Sequence, residues 1–222
     1  MASLELKKEE SNFLKIVAGI SMLLDHVGAY LFPQVLILRI IGRVAFPIFA
    51  YQITIGYRAT SSKINYFRNL VTFGIISQVP YHFLQPGRDY VNILFTFALA
   101  IALLWSWENK KYYLFLIALP LAYFTESGIY GIGIIFIFYF LREKKQILFF
   151  ILATVTFYYY IFRRRLYLDR DVLVLLFATI SSCLIIKKPI YRIKNIPKWF
   201  FYLFYPTHLV AILLIRTFFF SG

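Results

Sequence analysis

Four ionisable residues that could do chemistry lie inside long apolar runs of this sequence. Asp25 and His26 are adjacent in SMLLDHVGAY, Arg43 lies in RIIGRVAFPIFAYQ, and His208 lies in FYLFYPTHLV. A histidine can take a proton near neutral pH, a carboxylate can orient its ring, and an arginine can stabilise a developing oxyanion. The set predicts general-base chemistry with charge stabilisation. His26 is the leading base, Asp25 its orienting group or the partner of Arg43, and His208 the second candidate base.

Helix geometry limits which of these side chains can meet. Neighbouring residues on an α-helix point about 100° apart, so Asp25 and His26 cannot both face one narrow spot. We expect Asp25 to pair with Arg43 while His26 faces a cavity. The rise per residue places His26, Arg43 and His208 at overlapping depths near the middle of a bilayer. The alternatives are that the Asp25–Arg43 pair only holds two helices together, and that His208 only shares a hydrogen bond between helices.

Further polar residues in the apolar runs are candidate substrate contacts. Gln78 and Thr96 are predicted near the depth of the histidines, whereas Asn92 and Glu126 are predicted nearer the outer face. Pro47 would interrupt a helix hydrogen bond, and the resulting kink could open a cavity.

Other catalytic patterns are missing from the sequence. His82 is isolated in QVPYHFL, so a three-histidine metal site is not expected. The lone Cys183 allows neither a cysteine metal site nor an intrachain disulfide. The glycine pair in YGIGII is too weak a signal for a phosphate-binding loop. We therefore expect no metal.

Membrane-spanning helices are the elements that must position these residues. The chain has 222 residues, of which 61% are hydrophobic and 15% charged, and its mean hydropathy is +0.71. Soluble domains have about 45–50% apolar and about 25% charged residues. A helix needs about 20 residues to cross the hydrocarbon, where the backbone must satisfy its own hydrogen bonds. The sequence predicts an all-α integral membrane protein, a polytopic bundle of about nine transmembrane helices in one domain over 1–222. The predicted spans lie near 13–32, 35–57, 66–85, 91–107, 111–125, 128–141, 146–162, 171–187 and 199–220.

The basic residues predict the orientation. The net charge is +14, but Lys and Arg occupy short gaps between apolar runs, which indicates orientation signals and anionic-lipid contacts rather than nucleic-acid binding. A cytoplasmic N-terminus places most of them on the inner side, including Arg58, Lys63 and Arg68 after the second span. The arginine run at 163–165 falls outside in this arrangement, so either a span is miscounted or that loop binds an anionic group. We expect a multi-pass protein of a bacterial inner (cytoplasmic) membrane.

The apolar runs and their polar residues together resemble a known family. LKIVAGISMLLDHVGAYLF, LRIIGRVAFPIFAYQITIGYRATSS, YFRNLVTFGIISQVPY and NILFTFALAI, followed by ESGIYGIGIIFIFYFLR and FYLFYPTHLVAILL, are similar to the TraX family of conjugal-transfer proteins. The likeness runs over residues 14–215. It is carried by DH in the first span, GR-x-AFP-x-F in the second, N-x-LFT in the fourth and YP-x-H in the last. Where the family pattern has an aspartate, this chain keeps a carboxylate as Glu126.

The resemblance implies an acetyl transfer at the membrane. TraX proteins are membrane acetyltransferases, whose founding member acetylates the N-terminus of F-type pilin with acetyl-CoA, and they look distantly similar to the larger superfamily of transmembrane acyltransferases. It implies acetyl-CoA as donor, and as acceptor an amine or hydroxyl of a membrane-associated peptide, lipid or glycan. Arg58, Lys63 and Arg68 are placed to receive the coenzyme A phosphates, although plain orientation charge explains that loop equally well.

Two other classes of function stay open. The buried Asp25, His26 and Arg43 would also suit the proton or ion relay of a transporter. A non-catalytic assembly factor of a secretion or conjugation system is the third class.

Overall fold

The structure, a computed structural model, describes residues 8–140, 193–197 and 199–219. Its regular structure in these residues is helical, and one isolated bridge joins Val91 to Thr125. The α-helices are α1 (Lys8–Tyr30), α2 (Leu36–Gly42), α3 (Ala45–Ala59), α4 (Lys63–Leu84), α5 (Ile93–Glu108), α6 (Tyr112–Ala118), α7 (Gly128–Phe140) and α8 (Phe200–Phe219), with a 3₁₀-helix at Leu119–Phe124. The predicted all-α class is confirmed for this part of the chain.

Three of the described segments are long and apolar enough to cross a membrane. They are Glu9–Tyr30, Leu36–Ala59 and Phe200–Phe219. Further apolar segments are shorter: Ile93–Glu108, Tyr112–Phe124 and Gly128–Phe140. These features fit a membrane protein, but the predicted count of nine spans is not confirmed. The predicted spans at 146–162 and 171–187, and the arginine run at 163–165, lie outside the described residues.

The predicted span at 35–57 is divided into two helices. α2 ends at Gly42, and Arg43 and Val44 form a turn before α3 begins. The cause lies in α3, because Pro47 has no N–H to donate to the carbonyl of Arg43 and its ring crowds that carbonyl. The break falls inside the segment that was predicted as one helix.

The predicted span at 111–125 is also irregular. α6 has 7 residues and continues into a 3₁₀-helix of 6 residues, with Pro120 in its first turn. Proline cannot continue the α-helical hydrogen-bond pattern, and 3₁₀ turns are a common form for such connectors. Gly128 then adopts a φ of +54° where the chain turns into α7.

Two compact units divide the chain. One comprises Met1–Gln52 and Ile137–Pro197, and the other comprises Ile53–Phe136 and Lys198–Gly222. The prediction of a single functional domain stays a prediction.

In the first unit α1 packs against α2. Leu14 and Ile48 are fully buried in its core. Ser11 also links α1 to α3, since its Oγ donates to Gln52 Oε1 at 2.7 Å. Helix α1 begins with Glu9 and Glu10, whose negative charge suits a helix N-terminus.

In the second unit α4 packs against α5 and α8. Near its middle α4 stacks Phe73 on Tyr202 of α8 with ring centroids 5.2 Å apart, and at its end the Leu84 carbonyl accepts a hydrogen bond from Arg216 Nη1 at 3.1 Å. The two contacts make α4 and α8 parallel. The outer surface of this unit is rich in large apolar side chains, such as Phe83 at 62% exposed, as expected of a lipid-facing surface.

Candidate functional site

An ion cluster joins α1 to α2 in the first unit. Arg39 Nη1 lies 2.8 Å from Asp25 Oδ2 and also donates to the Asp25 backbone carbonyl at 3.1 Å. Arg43 Nε lies 3.9 Å from Asp25 Oδ1. The predicted Asp25–Arg43 pairing is therefore present, but Arg39 makes the shorter contact. The cluster holds two guanidinium groups against one carboxylate.

Gly42 permits this close approach of α1 and α2. A Cβ at position 42 would lie 2.3 Å from the Asp25 Cβ and 2.5 Å from its Oδ1. Such separations are shorter than any real carbon contact, so only glycine fits against Asp25 here. The glycine of the GR pair thus brings the carboxylate within reach of both arginines.

One oxygen of the Asp25 carboxylate, Oδ1, has unused hydrogen-bonding capacity. Asp25 Oδ1 is buried and accepts no hydrogen bond from the described residues. Its separation of 3.9 Å from Arg43 Nε exceeds the 2.7–3.2 Å range of N–H···O hydrogen bonds. A buried acceptor in this condition is costly and calls for a specific explanation.

His26 is buried next to the cluster along α1. Its side chain packs on Tyr30, one helical turn later, with ring centroids 5.6 Å apart. The polar contacts of Asp25 go to Arg39 and Arg43. Of the two roles predicted for Asp25, the structure shows the arginine partner, and the orienting of His26 stays a prediction.

The ion cluster lies towards one end of α1. Asp25 is roughly 8 Å of helix from Tyr30, where α1 ends, and Arg39 is in α2, a helix of about two turns. The sequence placed Asp25 near the middle of a span at 13–32. The structure differs because α1 starts earlier, at Lys8, and ends before Pro33, which disfavours helical backbone in the residue that precedes it.

His208 lies in the second unit with a defined hydrogen bond. Its Nδ1 is 2.8 Å from the Phe204 carbonyl, and its ring stacks on Phe204 with centroids 5.1 Å apart. A carbonyl can only accept, so Nδ1 carries the proton and Nε2 of the neutral ring keeps its lone pair. His208 is buried, and from the parallel register of α4 and α8 it is about level with Gln78.

Asn92 and Gln78 hold α4 and α5 together. Asn92 Nδ2 donates to Gln78 Oε1 and to the Gly74 carbonyl, each at 2.8 Å. Asn92 Oδ1 accepts the Leu94 N–H at 3.1 Å and so caps α5. Both residues were predicted as substrate contacts, and the structure uses the Asn92 side chain for helix packing and capping. The substrate role of Gln78 and Asn92 stays a prediction.

Thr96 and Glu126 complete the predicted polar set. Thr96 is fully buried one turn after Asn92, and its Oγ1 has no hydrogen-bond partner among the described residues. The Glu126 N–H donates to the Val91 carbonyl at 2.9 Å, which ties the start of α7 to the segment before α5. Their predicted substrate contacts stay predictions.

The three basic residues predicted to hold the donor lie at one end of the second unit. Arg58 ends α3 and is exposed, and Arg68 is exposed on α4. Lys63 begins α4, where it donates to the Tyr57 carbonyl and lies over the Tyr57 ring at 4.2 Å. The Tyr57 hydroxyl also donates to Glu108 at 2.6 Å, which brings the end of α5 to the same place.

Arg39 is the residue that sequence reasoning missed. The signal was present, because Arg39 and Arg43 are spaced i and i+4 and side chains at that spacing share one helix face. The sequence reasoning named only Arg43 as the partner of Asp25 and did not consider Arg39.

Comparisons with known proteins identify the family. The TraX protein family model matches residues 10–216, so the chain belongs to the TraX family. An uncharacterized protein of Rickettsia prowazekii (strain Madrid E) is similar, with 27% identity over 135 residues. That match covers 61% of this chain and 48% of the relative, so the chain spans about half the length of the relative it matches. No solved structure matches.

Proposed function

We propose that this TraX-family protein transfers an acetyl or other short acyl group from acyl-CoA to an amine or hydroxyl of a membrane-associated peptide, lipid or glycan. We propose further that it is a multi-pass protein of the cell membrane with its N-terminus in the cytoplasm. Coenzyme A would then meet the protein from the cytoplasmic side, where the positive-inside rule places the basic loops.

One observation carries the proposal: a carboxylate is held between two arginines beside a buried histidine, within helices that are apolar enough to cross a membrane. Ionisable groups at membrane depth are costly and usually mark a site of function. Asp25, Arg43 and His26 supply the three elements that acyl transfer needs, which are a hydrogen-bond acceptor, a cation for the oxyanion and a base.

The reaction would proceed by direct attack on the thioester. The acceptor nitrogen or oxygen bonds to the acyl carbon while Arg43 stabilises the negative charge on the carbonyl oxygen. The carbon–sulfur bond then breaks and coenzyme A leaves as a thiolate. The proton lost by the acceptor passes to a histidine, His26 first and His208 second among the candidates, and returns to the thiolate. Protons and charges balance without any further reactant.

The basic end of the second unit is the proposed donor site. Arg58 and Arg68 are exposed there and Lys63 is half-buried, and cations suit the phosphates of coenzyme A. Changing all three to Gln should weaken donor binding, and added salt should mimic the change because exposed charges are screened over about 8–10 Å. Arg88→Gln is the control, since Arg88 is exposed at the opposite end of α4. Unchanged affinity in the triple variant would leave these residues only an orientation role.

A second candidate function rests on the same ion cluster. Asp25, Arg39 and Arg43 within apolar helices would also suit a proton or ion relay. Proton-coupled flux in liposomes containing the protein, without acyl transfer, would favour this reading.

The deciding experiment is acyl transfer by the purified protein. Radiolabelled acetyl-CoA is offered with a peptide that has a free N-terminal amine, or with octyl glucoside as the hydroxyl acceptor, and labelled product is counted. His26→Ala should lower the rate by about 10²–10⁴-fold, the usual effect of removing a general base. His82→Ala is the matched control, because His82 is exposed on α4.

His208→Ala separates the two candidate bases. A greater loss in this variant than in His26→Ala would place the base in α8. If neither histidine change reduces turnover, the proposed base chemistry is wrong. A wild-type protein that neither binds acetyl-CoA nor transfers the label would refute the acyltransferase itself. Expression and thermal stability are measured in every case, because lost folding would imitate lost chemistry.

A further inference from the structure

The two carboxylate oxygens of Asp25 make different contacts in the Arg39–Asp25–Arg43 cluster. Oδ2 is engaged by Arg39 at 2.8 Å. Oδ1 is buried and accepts no hydrogen bond from the described residues, although Arg43 Nε lies 3.9 Å away. Arg39 also donates a hydrogen bond to the Asp25 backbone carbonyl, and Gly42 lets α2 lie directly against Asp25. The carboxylate is thus held through Oδ2, while the buried Oδ1 keeps its capacity to accept a hydrogen bond.

We propose that Arg39 is a positioning residue that fixes Asp25, so that Asp25 Oδ1 accepts a hydrogen bond from the attacking amine or hydroxyl of the acyl acceptor while the Arg43 guanidinium faces the acyl carbonyl oxygen. This inference rests on the proposed acyl transfer and adds to it the acceptor-binding group and a residue that the sequence did not indicate.

The chemistry of the pair defines what it can hold. Oδ1 can only accept a hydrogen bond and the guanidinium can only donate one. A neutral amine or a hydroxyl can donate to Oδ1 and keep the lone pair with which it attacks the thioester, while the guanidinium donates to the acyl carbonyl oxygen. A phosphate or carboxylate would meet Oδ1 with like charge, and an ammonium has no lone pair with which to attack. The pair therefore suits the uncharged nucleophile together with the carbonyl group that it attacks.

The same position serves the following step. A nucleophile held by Oδ1 attacks the acyl carbonyl beside the guanidinium, where the oxyanion develops. Two arginines against one aspartate leave the cluster with one net positive charge, which favours that oxyanion. Arg39 contacts Oδ2 and the backbone carbonyl of Asp25, so its proposed role is to position the carboxylate.

The test separates acceptor binding from donor binding. Purified wild type and the Arg39→Gln, Arg39→Lys and Arg43→Gln variants are assayed with labelled acetyl-CoA and a peptide with a free N-terminal amine. Arg39→Gln should raise the KM for the peptide roughly 10- to 100-fold, as expected for loss of a charge-assisted hydrogen bond, with the KM for acetyl-CoA unchanged. Arg39→Lys should recover most of the loss, because it restores the cation beside Oδ2. Arg43→Gln should lower kcat as well.

Arg216→Gln is the matched control. Arg216 is another arginine in an apolar helix, bound to the Leu84 carbonyl, so its loss should lower thermal stability without raising the KM for the peptide. If Arg39→Gln does not fold, Asp25→Glu keeps every charge and displaces Oδ1, and should show the same selective rise in peptide KM.

The outcomes separate a failure of this inference from a failure of the proposed acyl transfer on which it rests. An inactive wild type that binds no acetyl-CoA would overturn both. An active wild type with an unchanged peptide KM in Arg39→Gln would overturn only the inference. Equal losses in Arg39→Lys and Arg39→Gln, matched by equal losses of thermal stability, would make Arg39 structural and would overturn it too.

Discussion

Gly42→Ala tests whether the close packing of α1 and α2 sets the geometry of the ion cluster. The added Cβ would lie 2.3 Å from the Asp25 Cβ, 2.5 Å from its Oδ1 and 2.6 Å from its Cα. Since one neighbour is backbone, no side-chain rotation can relieve the overlap. Restoring an ordinary contact requires the two helices to separate by about 1 Å, in a core too densely packed to absorb the shift.

The expected cost has a stability part and an activity part. Overpacking of this kind typically destabilises by about 1–3 kcal/mol. A displacement of about 1 Å at a reacting group can lower the rate by about 10²-fold. We therefore expect a lower melting temperature and a much larger loss of acetyl transfer, although no charged group has been removed.

Gly133→Ala provides the matched control for this variant. Gly133 lies in α7, and a Cβ there would meet nothing within 4 Å, so the same substitution should be neutral or stabilise by about 0.5–1 kcal/mol. Melting is followed by intrinsic tryptophan fluorescence and turnover by labelled acetyl-CoA. If the Gly42 and Gly133 variants behave alike in both assays, the cluster does not depend on the close approach of α1 and α2.

Three further predictions concern other parts of the molecule. Asn92→Ala should lower the melting temperature, because it strands the Leu94 N–H at about 1–3 kcal/mol, whereas Gln78 Oε1 keeps its hydrogen bond from the backbone N–H of residue 92. Equal stability of the two proteins would show that this network is dispensable. Tyr57→Phe removes a hydrogen bond to an exposed Glu108, so thermal melting should reveal a change of about 1 kcal/mol or less, and a larger one would mean that the contact carries more of the fold. Reporter fusions at Ser3 and Gly222 should report opposite sides of the membrane, and a common side would refute an odd number of spans.

Much of the fold was predictable because apolar runs and end signals coincide. The predicted spans at 66–85 and 91–107 correspond to α4 and α5 within a few residues. Each of these helices begins after a residue that caps it, with Ser62 accepting from the Asn65 N–H and Asn92 accepting from the Leu94 N–H. Capping residues next to an apolar run fix a helix start through local interactions, which sequence reveals.

The remaining features depend on contacts between elements. The effect of Pro47 was foreseen as a kink, but its location at Arg43 follows from the hydrogen bond that proline cannot make to the preceding turn. Gly42 gave no sign of its role, since a glycine beside an arginine has no special local meaning. Only the packing of α2 on α1 shows that the lack of a side chain at Gly42 makes room for Asp25. The same packing shows that Arg39, rather than Arg43, makes the short ion pair with Asp25.

Asn92 and Asp25 differ in how completely the polar atoms of their side chains are satisfied. The Asn92 side chain already makes hydrogen bonds to Gln78, Gly74 and Leu94. It therefore has little hydrogen-bonding capacity left for a substrate. Asp25 keeps one buried oxygen without a hydrogen bond from the described residues, beside an arginine too distant to satisfy it. An unsatisfied buried acceptor lowers the stability of the fold. Because Asp25 Oδ1 is kept in this condition where Gly42 lets α2 lie against Asp25, we expect this oxygen to have a function. On the proposed acyl transfer, the acceptor should therefore bind at Asp25, and variants of Asp25 should affect turnover more than variants of Asn92 of equal stability.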